Sequence, residues 1–268
     1  MIALPLILFL AQEPLAADTI MARVAENQDH AEQARSNFVY HQDVLIRLNR
    51  SNGKLAREEY SEYAVTPAAN GNHRERQVFR GKYFDHGKTI EFTKPGFEHK
   101  SLDADAGITQ SFDGFGDDQK SRDGIQRDLF PLTSKEQRKY RFTFAGEEDY
   151  FGTPVYRVTF EPRKTAPDDD DESWAGEALI ERNEFQPVLV TTHLAEKIPV
   201  WVKTVLGTDV KALGFKVTYR RFDQGLWFPV TYGGEFQFKA LFLYSRKVGL
   251  SLRNSDFHRA DVQSSVTY

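Results

Sequence analysis

The chain contains no cysteine. Disulfides, thiolate nucleophiles and cysteine-ligated metals are excluded together. So is the lipid-bearing cysteine that tethers a bacterial lipoprotein. An excess of positive charge is also missing: 35 Lys and Arg stand against 39 Asp and Glu, a formal net charge of -4. The run Asp168-Asp169-Asp170-Asp171-Glu172 supplies five of those acids, which leaves the rest of the chain near +1. A phosphate backbone or an anionic lipid surface calls for a basic field that this chain lacks, so nucleic acid is not an expected partner. No stretch reaches the ~20 apolar residues of a membrane-spanning helix. The later apolar piece Leu241-Phe242-Leu243-Tyr244 is short.

Motifs that carry chemistry are equally scarce. Gly81 to Thr89 places five residues between its glycines, where a P-loop needs four, and Thr89-Ile90-Glu91-Phe92 continues as a strand instead of a helix. A hairpin turn is the better reading. Gly114-x-Gly116 lacks the third glycine of a dinucleotide fingerprint, because Gln119 stands there. Asp103-x-Asp105-x-Gly107 opens like a calcium loop, but its glycine falls in a ligand slot and Gly114 takes the place of the bidentate Glu. The seven histidines form no His-x-His or His-Glu-x-x-His pair, so zinc has no spacing signature. Gly-x-Ser-x-Gly does not occur, and the one Ser-x-x-Lys spacing, Ser51-Asn52-Gly53-Lys54, is a turn sequence. A pair of distant carboxylates stays open, since such a pair need not be close along the chain. Tyr219-Arg220-Arg221-Phe222 and Tyr244-Ser245-Arg246-Lys247 interleave aromatic and basic residues. Without a basic field they read as strands with outward Arg and inward rings. No cofactor is expected.

What is present points to sheet. The 268 residues include 21 Phe and 11 Tyr, side chains suited to pleated, half-buried surfaces. Residues 1–17 hold the apolar run Ile2 to Leu10 and end Leu15-Ala16-Ala17, the pattern of an export signal with small residues at the cut. From Asp18 or Thr19 as cap to about Ser36, the stripe Ile20, Met21, Val24 and Ala25, extended by Gln28 and Ala31, predicts an amphipathic helix. The period then becomes two. Phe38, Tyr40, Val44, Ile46 and Leu48 share one face, with His41, Asp43, Arg47 and Asn49 opposite. Ser51-Asn52-Gly53 turns the chain into a return strand at 54–65, and a further pair spans 76–84 and 89–93. Residues 95–135 read as short helices and loops, a connection of lid or binding-loop length. Strands resume at Tyr140, Phe142 and Phe144. After the turn Phe151-Gly152-Thr153-Pro154 they continue at Tyr156, Val158 and Phe160. Residues 163–173 form an acidic loop. Further strands are expected at 176–182, 188–196, 213–222, 227–238, 241–252 and 261–268, with a short helix at 199–206. No repeat and no linker divides the chain, so 18–268 reads as one domain.

The order of these elements carries a resemblance. An export signal precedes a helix ending Ala31-Glu32-Gln33-Ala34-Arg35. Long antiparallel strands follow, then a helical middle, Val155-Tyr156-Arg157-Val158-Thr159-Phe160, Trp174-x-Gly176-x-Ala178-Leu179-Ile180 and Phe222-Asp223-x-Gly225-x-Trp227-Phe228-Pro229. This pattern resembles the LolA-like superfamily of periplasmic proteins, which includes outer-membrane lipoprotein-sorting carriers and RseB-type sensors, and is most similar to its uncharacterised exported relatives. The resemblance implies an α+β fold: a strongly curved antiparallel sheet, an incomplete barrel, with an N-terminal helix and short helices closing the concave face. It also implies a soluble periplasmic carrier or sensor, not an enzyme, holding a lipid or the acyl chain of a lipoprotein. The sorting carriers are shorter, and their lid arginine matches no single Arg here. The expected lipid-binding residues are Phe38, Tyr40, Val44, Ile46, Leu48, Tyr156, Val158 and Phe160, in a monomer. The same side chains also suit a dry core. Two other functions are therefore kept: a module that docks another envelope protein over a filled core, and a hydrolase with unrecognised carboxylates.

Overall fold

The structure is a computed structural model and describes residues 16–68, 71–95, 104–114, 130–163, 174–195, 209–211, 214–222, 225–240 and 244–260. The expected strand at 261–268, the helix at 199–206, most of the acidic loop and most of the export signal lie outside them. Helix α1 (Ala17–Arg35) leads into β1 (Phe38–Arg50), β2 (Leu55–Ala68), β3 (Gly71–Asp85) and β4 (Lys88–Phe92). Helices α2 (Ala104–Asp113) and α3 (Ser134–Gln137) follow. Then come β5 (Tyr140–Tyr150), β6 (Thr153–Pro162), β7 (Trp174–Glu181), β8 (Pro187–Leu194), β9 (Asp209–Lys211), β10 (Gly214–Arg221), β11 (Trp227–Ala240) and β12 (Tyr244–Arg259).

All these strands belong to one antiparallel sheet of order β4-β3-β2-β1-β12-β11-β10-β8-β7-β6-β5, with β9 beside β11. The sheet is curved and unclosed, an incomplete barrel with β4 and β5 at its two ends. Pairing of β1 with β12 joins the two ends of the chain in its middle. Register shifts at Val39/His41, Leu48/Asn49, Glu62/Tyr63, Phe144/Gly146, Leu179/Ile180 and Thr218/Tyr219 bend it, because an extra residue in one strand adds local twist. Gly233 and Gly234 mark another tight point, between the β10 and β9 pairings of β11. A Cβ there would lie 2.1 Å from the carbonyl oxygens of Leu250 and Gly214 respectively.

Alternation along the strands separates two faces. Tyr40, Val44, Ile46 and Leu48 are buried on the inner face, as the period of two requires. Helix α1 lies on the inner face through the expected stripe of Ile20, Met21, Val24, Ala25, Gln28 and Ala31. Its start differs from expectation. Neither Asp18 nor Thr19 caps it; the helix begins at Ala17, and the carbonyl of Ala16 accepts from Thr19 and Ile20. Asp18 sits instead in the first turn, where the helix dipole favours an acid. Two polar members of the stripe are docking groups. Gln28 donates to Gln186 Oε1, and Arg35 donates to Gln28 Oε1 and to the Trp227 carbonyl. Asn27 ties the same helix to the carbonyls of Glu184 and Phe185. The sequence pattern missed β9 and ended the strand expected at 241–252 seven residues before the end of β12, whose mostly polar tail breaks the apolar alternation.

Candidate functional site

The eight expected lipid-binding residues fall on two strands. Strands β1 and β6 stand six spacings apart in the sheet order, which at ~4.8 Å each is about 29 Å around the sheet. Tyr40, Val44, Ile46, Leu48, Tyr156, Val158 and Phe160 nevertheless belong to one buried cluster, each at most 7% exposed. Phe38 differs. It is half-buried at the start of β1, edge-on to Phe228 at 4.9 Å with Arg259 5.8 Å from its ring. The seven are packed core.

What closes the β1 and β2 half of the inner face is α2. Its apolar side buries Ala106, Ile108 and Phe112. Beside that runs a polar row at i, i+4 and i+8, Asp105, Thr109 and Asp113, about 12 Å long. Each member meets its own partners on the sheet. Asp105 accepts from Arg246 through Nε at 2.7 Å and Nη2 at 2.9 Å, and from the Tyr244 hydroxyl. Thr109 donates to Glu59 at 2.7 Å, and Glu59 is paired with Arg57 at 2.6 Å beneath it. Asp113 accepts from Tyr63 at 2.6 Å and Arg76 at 2.5 Å, and its carbonyl accepts from Arg74 at 2.9 Å. Burial and then the Asp113 carboxylate push the Tyr63 phenol up. Burial opposes charge on Arg76, but Tyr63 and Asp113 outweigh it and raise its basicity. Guanidiniums at the C-terminal end also oppose the negative pole of the helix.

Asp105 is helical and ion-paired. One expectation changes here. Arg246 points inward with Tyr244, not outward, because its charge is met by α2. Tyr219-Arg220-Arg221 behaves as expected, with Tyr219 buried and both arginines exposed. The Gly81–Thr89 segment is the β3–β4 hairpin, turned by His86 and Gly87 at φ 45° and 83°. No group of three or more metal-ligating side chains assembles among the described residues. Nor is any described helix long and apolar enough to cross a membrane.

Behind Phe112 runs an aromatic strip. Phe112 lies 4.6 Å from Phe236, which lies 6.1 Å from Phe215. Trp174 and Tyr232 flank Phe215 at 5.5 and 5.7 Å. The Trp174 indole N–H and the Tyr232 hydroxyl are both buried without a hydrogen-bond partner among the described residues. Burial alone pushes the Tyr232 phenol well above its ordinary value, so it stays a proton donor.

The outer face is different in kind. Two open grooves, of about 660 and 500 Å³, meet at Leu45 and Arg47. Their walls carry cross-strand charge pairs. Glu58 bridges Arg47 at 2.6 Å and Lys82 at 2.7 Å, and Tyr60 donates to Asp43 and Glu62. Burial raises the Glu58 carboxyl, but Lys82 and Arg47 hold it below its usual value. Partial burial, Glu62 and Asp43 push Tyr60 up to about 12.

No protein-family model matches the sequence, and no curated protein matches it either. Solved structures with a similar chain path do exist. One is a putative outer membrane lipoprotein-sorting protein domain from Vibrio parahaemolyticus, 10% identical, with 92% of this chain and 95% of that one covered at a TM-score of 0.41. Another is a DUF1329 family protein from Desulfovibrio piger, 14% identical, covering 93% and 95% at 0.37. A third is a LolA superfamily protein from Nitrosomonas europaea, 12% identical, covering 92% and 95% at 0.36. Structural neighbours thus include DUF1329 and LolA-superfamily proteins, at low identity and low TM-score.

The polar row of α2 was not found from the sequence. Its signal was the spacing Asp105-x₃-Thr109-x₃-Asp113, legible only once the segment is known to be helical.

Proposed function

We propose that the chain is an exported, periplasmic carrier or sensor, not an enzyme, that receives a lipid or the acyl chain of a lipidated protein on its inner face when α2 lifts. The observation that carries this reading is the mode of closure. Helix α2 is ten residues long, too short to persist alone, and is fastened at both ends and its middle by hydrogen-bonded polar groups over an apolar sheet. Groups of that kind exchange their partners for water when the helix leaves. The apolar surface beneath does not, and it needs a new cover.

The magnitudes balance. Three anchors at about 2–3 kcal/mol each hold α2 down. A tail of about twelve methylenes contributes roughly 10 kcal/mol gross on burial. Tyr40, Val44, Ile46, Leu48, Tyr156, Val158 and Phe160 would line the tail, with Phe38 at the open end. The test is chemical. Protein exported through residues 1–17 and purified without detergent is examined by native mass spectrometry and by lipid analysis of an organic extract. A stoichiometric acyl lipid is expected. Absence of lipid, together with failure to take up a fluorescent acyl probe, would overturn the reading.

The packed core favours a second reading, a module that docks an envelope protein and takes no lipid. It has less support, because Phe151 stands alone as an exposed large hydrophobic among the described residues. A docking face needs a patch.

A further inference from the structure

We infer that the inner face recognises its ligand by its acyl ester carbonyls, which accept from the Trp174 indole N–H and the Tyr232 hydroxyl. This rests on the carrier reading and names the class of ligand for it. Of the buried side-chain atoms without a partner among the described residues, these two share one aromatic core, where a polar group is ordinarily satisfied. Phenylalanine at 232 would remove the penalty of the hydroxyl at almost the same shape. Both groups are donors, so the missing partner is an acceptor. Both stand beside the same ring, Phe215.

The identity of the acceptor follows from its surroundings. Phe112, Phe130, Phe215 and Phe236 make the neighbourhood, and among the described residues neither donor has a hydrogen-bond partner, charged or neutral. A carboxylate brought there would be buried with neutral partners only, which is far more costly than burying a carbonyl. Tyr232 cannot ionise to turn acceptor, being held in its neutral form by burial. A neutral carbonyl attached to an apolar chain fits both demands.

A route exists as well. Phe112 is the α2 side chain that covers this strip, packed on Phe236. When α2 lifts, Phe112 leaves with it and uncovers the way past Phe236 to Phe215. The same motion that admits a tail therefore bares the two donors.

The test uses the full chain and vesicles containing equal amounts of diacyl and ether-linked dialkyl phosphatidylcholine with identical chains. Protein-bound lipid is quantified by mass spectrometry. The wild type is expected to take the diacyl lipid about tenfold in preference, the value of one or two neutral hydrogen bonds. Trp174→Phe and Tyr232→Phe each shrink that ratio, and the double variant brings it to parity. Uptake of both lipids at equal ratio by the wild type overturns the inference and leaves the carrier reading standing. Uptake of neither removes both. Thermal melting of the lipid-free proteins is the second readout. Tyr232→Phe should be as stable as the wild type or more so; a clear loss would mean that the hydroxyl already has a structural partner such as buried water, and would overturn the inference.

Discussion

Replacing Asp105 by alanine unfastens one end of α2 while leaving its apolar side intact. Asp105 accepts both fork hydrogens of Arg246 and the Tyr244 hydroxyl, and the two charged side chains are 19% and 16% exposed. The pair sits between an exposed ion pair, worth under about 1 kcal/mol, and a buried one, whose breakage costs about 3–5 kcal/mol; a loss of about 2–3 kcal/mol follows. Because an isolated helix of this length does not hold itself, the loss falls on docking and not on the helix alone. Such a change multiplies the open fraction about 30- to 150-fold. Hydrogen–deuterium exchange read by mass spectrometry is the assay. Amides at 104–113 should exchange faster by that factor, while those of β6, β7 and β8 should not change. Unchanged exchange in α2 would refute the clamp. Equal acceleration across every strand would refute its independence, since α2 would then open only with the whole sheet.

Other outcomes follow from the same geometry. Arg57→Met leaves Glu59 and Thr109 in an almost water-free place without their cation, and urea denaturation should register a loss of about 3–5 kcal/mol. Gly234→Ala puts a Cβ 2.1 Å from the Gly214 carbonyl, which only a backbone shift relieves; thermal unfolding should show a loss of about 1–3 kcal/mol or failure to accumulate folded protein. Glu58 has a folded-state affinity for protons below that of its unfolded form, so its contribution is present above about pH 4.5 and is lost as pH falls beneath that value. Glu58→Gln should therefore flatten the acid limb of a stability–pH curve, and an unaltered limb would show the Arg47 and Lys82 bridges to be idle.

Much of this molecule was legible before any coordinates. Ile20, Met21, Val24 and Ala25 recur at helical spacing and are the buried stripe of α1. Phe38 to Leu48 alternate and form β1; Asn52-Gly53 and His86-Gly87 turn hairpins. Local rules suffice there, because a period of 3.6 or 2 is decided by neighbours along the chain. The curvature was legible only as an implication of resemblance. The place of Phe38 outside the cluster was hidden too, since the bulge after Val39 and the end of the strand decide it.

By itself, then, the sequence determined most of the strands, the apolar side of β1 and β6, and the absence of cysteine, paired histidines and a phosphate loop. Tertiary structure alone decided that Asp105, Thr109 and Asp113 face Arg246, Glu59 and Arg76 across 141, 50 and 37 residues of chain. It also decided that Trp174 and Tyr232 meet at Phe215 with nothing to donate to. The reason is physical. Periodicity records how a residue relates to its own element, whereas a salt bridge or an unpaired donor depends on the register and bend of strands far away, and no spacing along the chain encodes either.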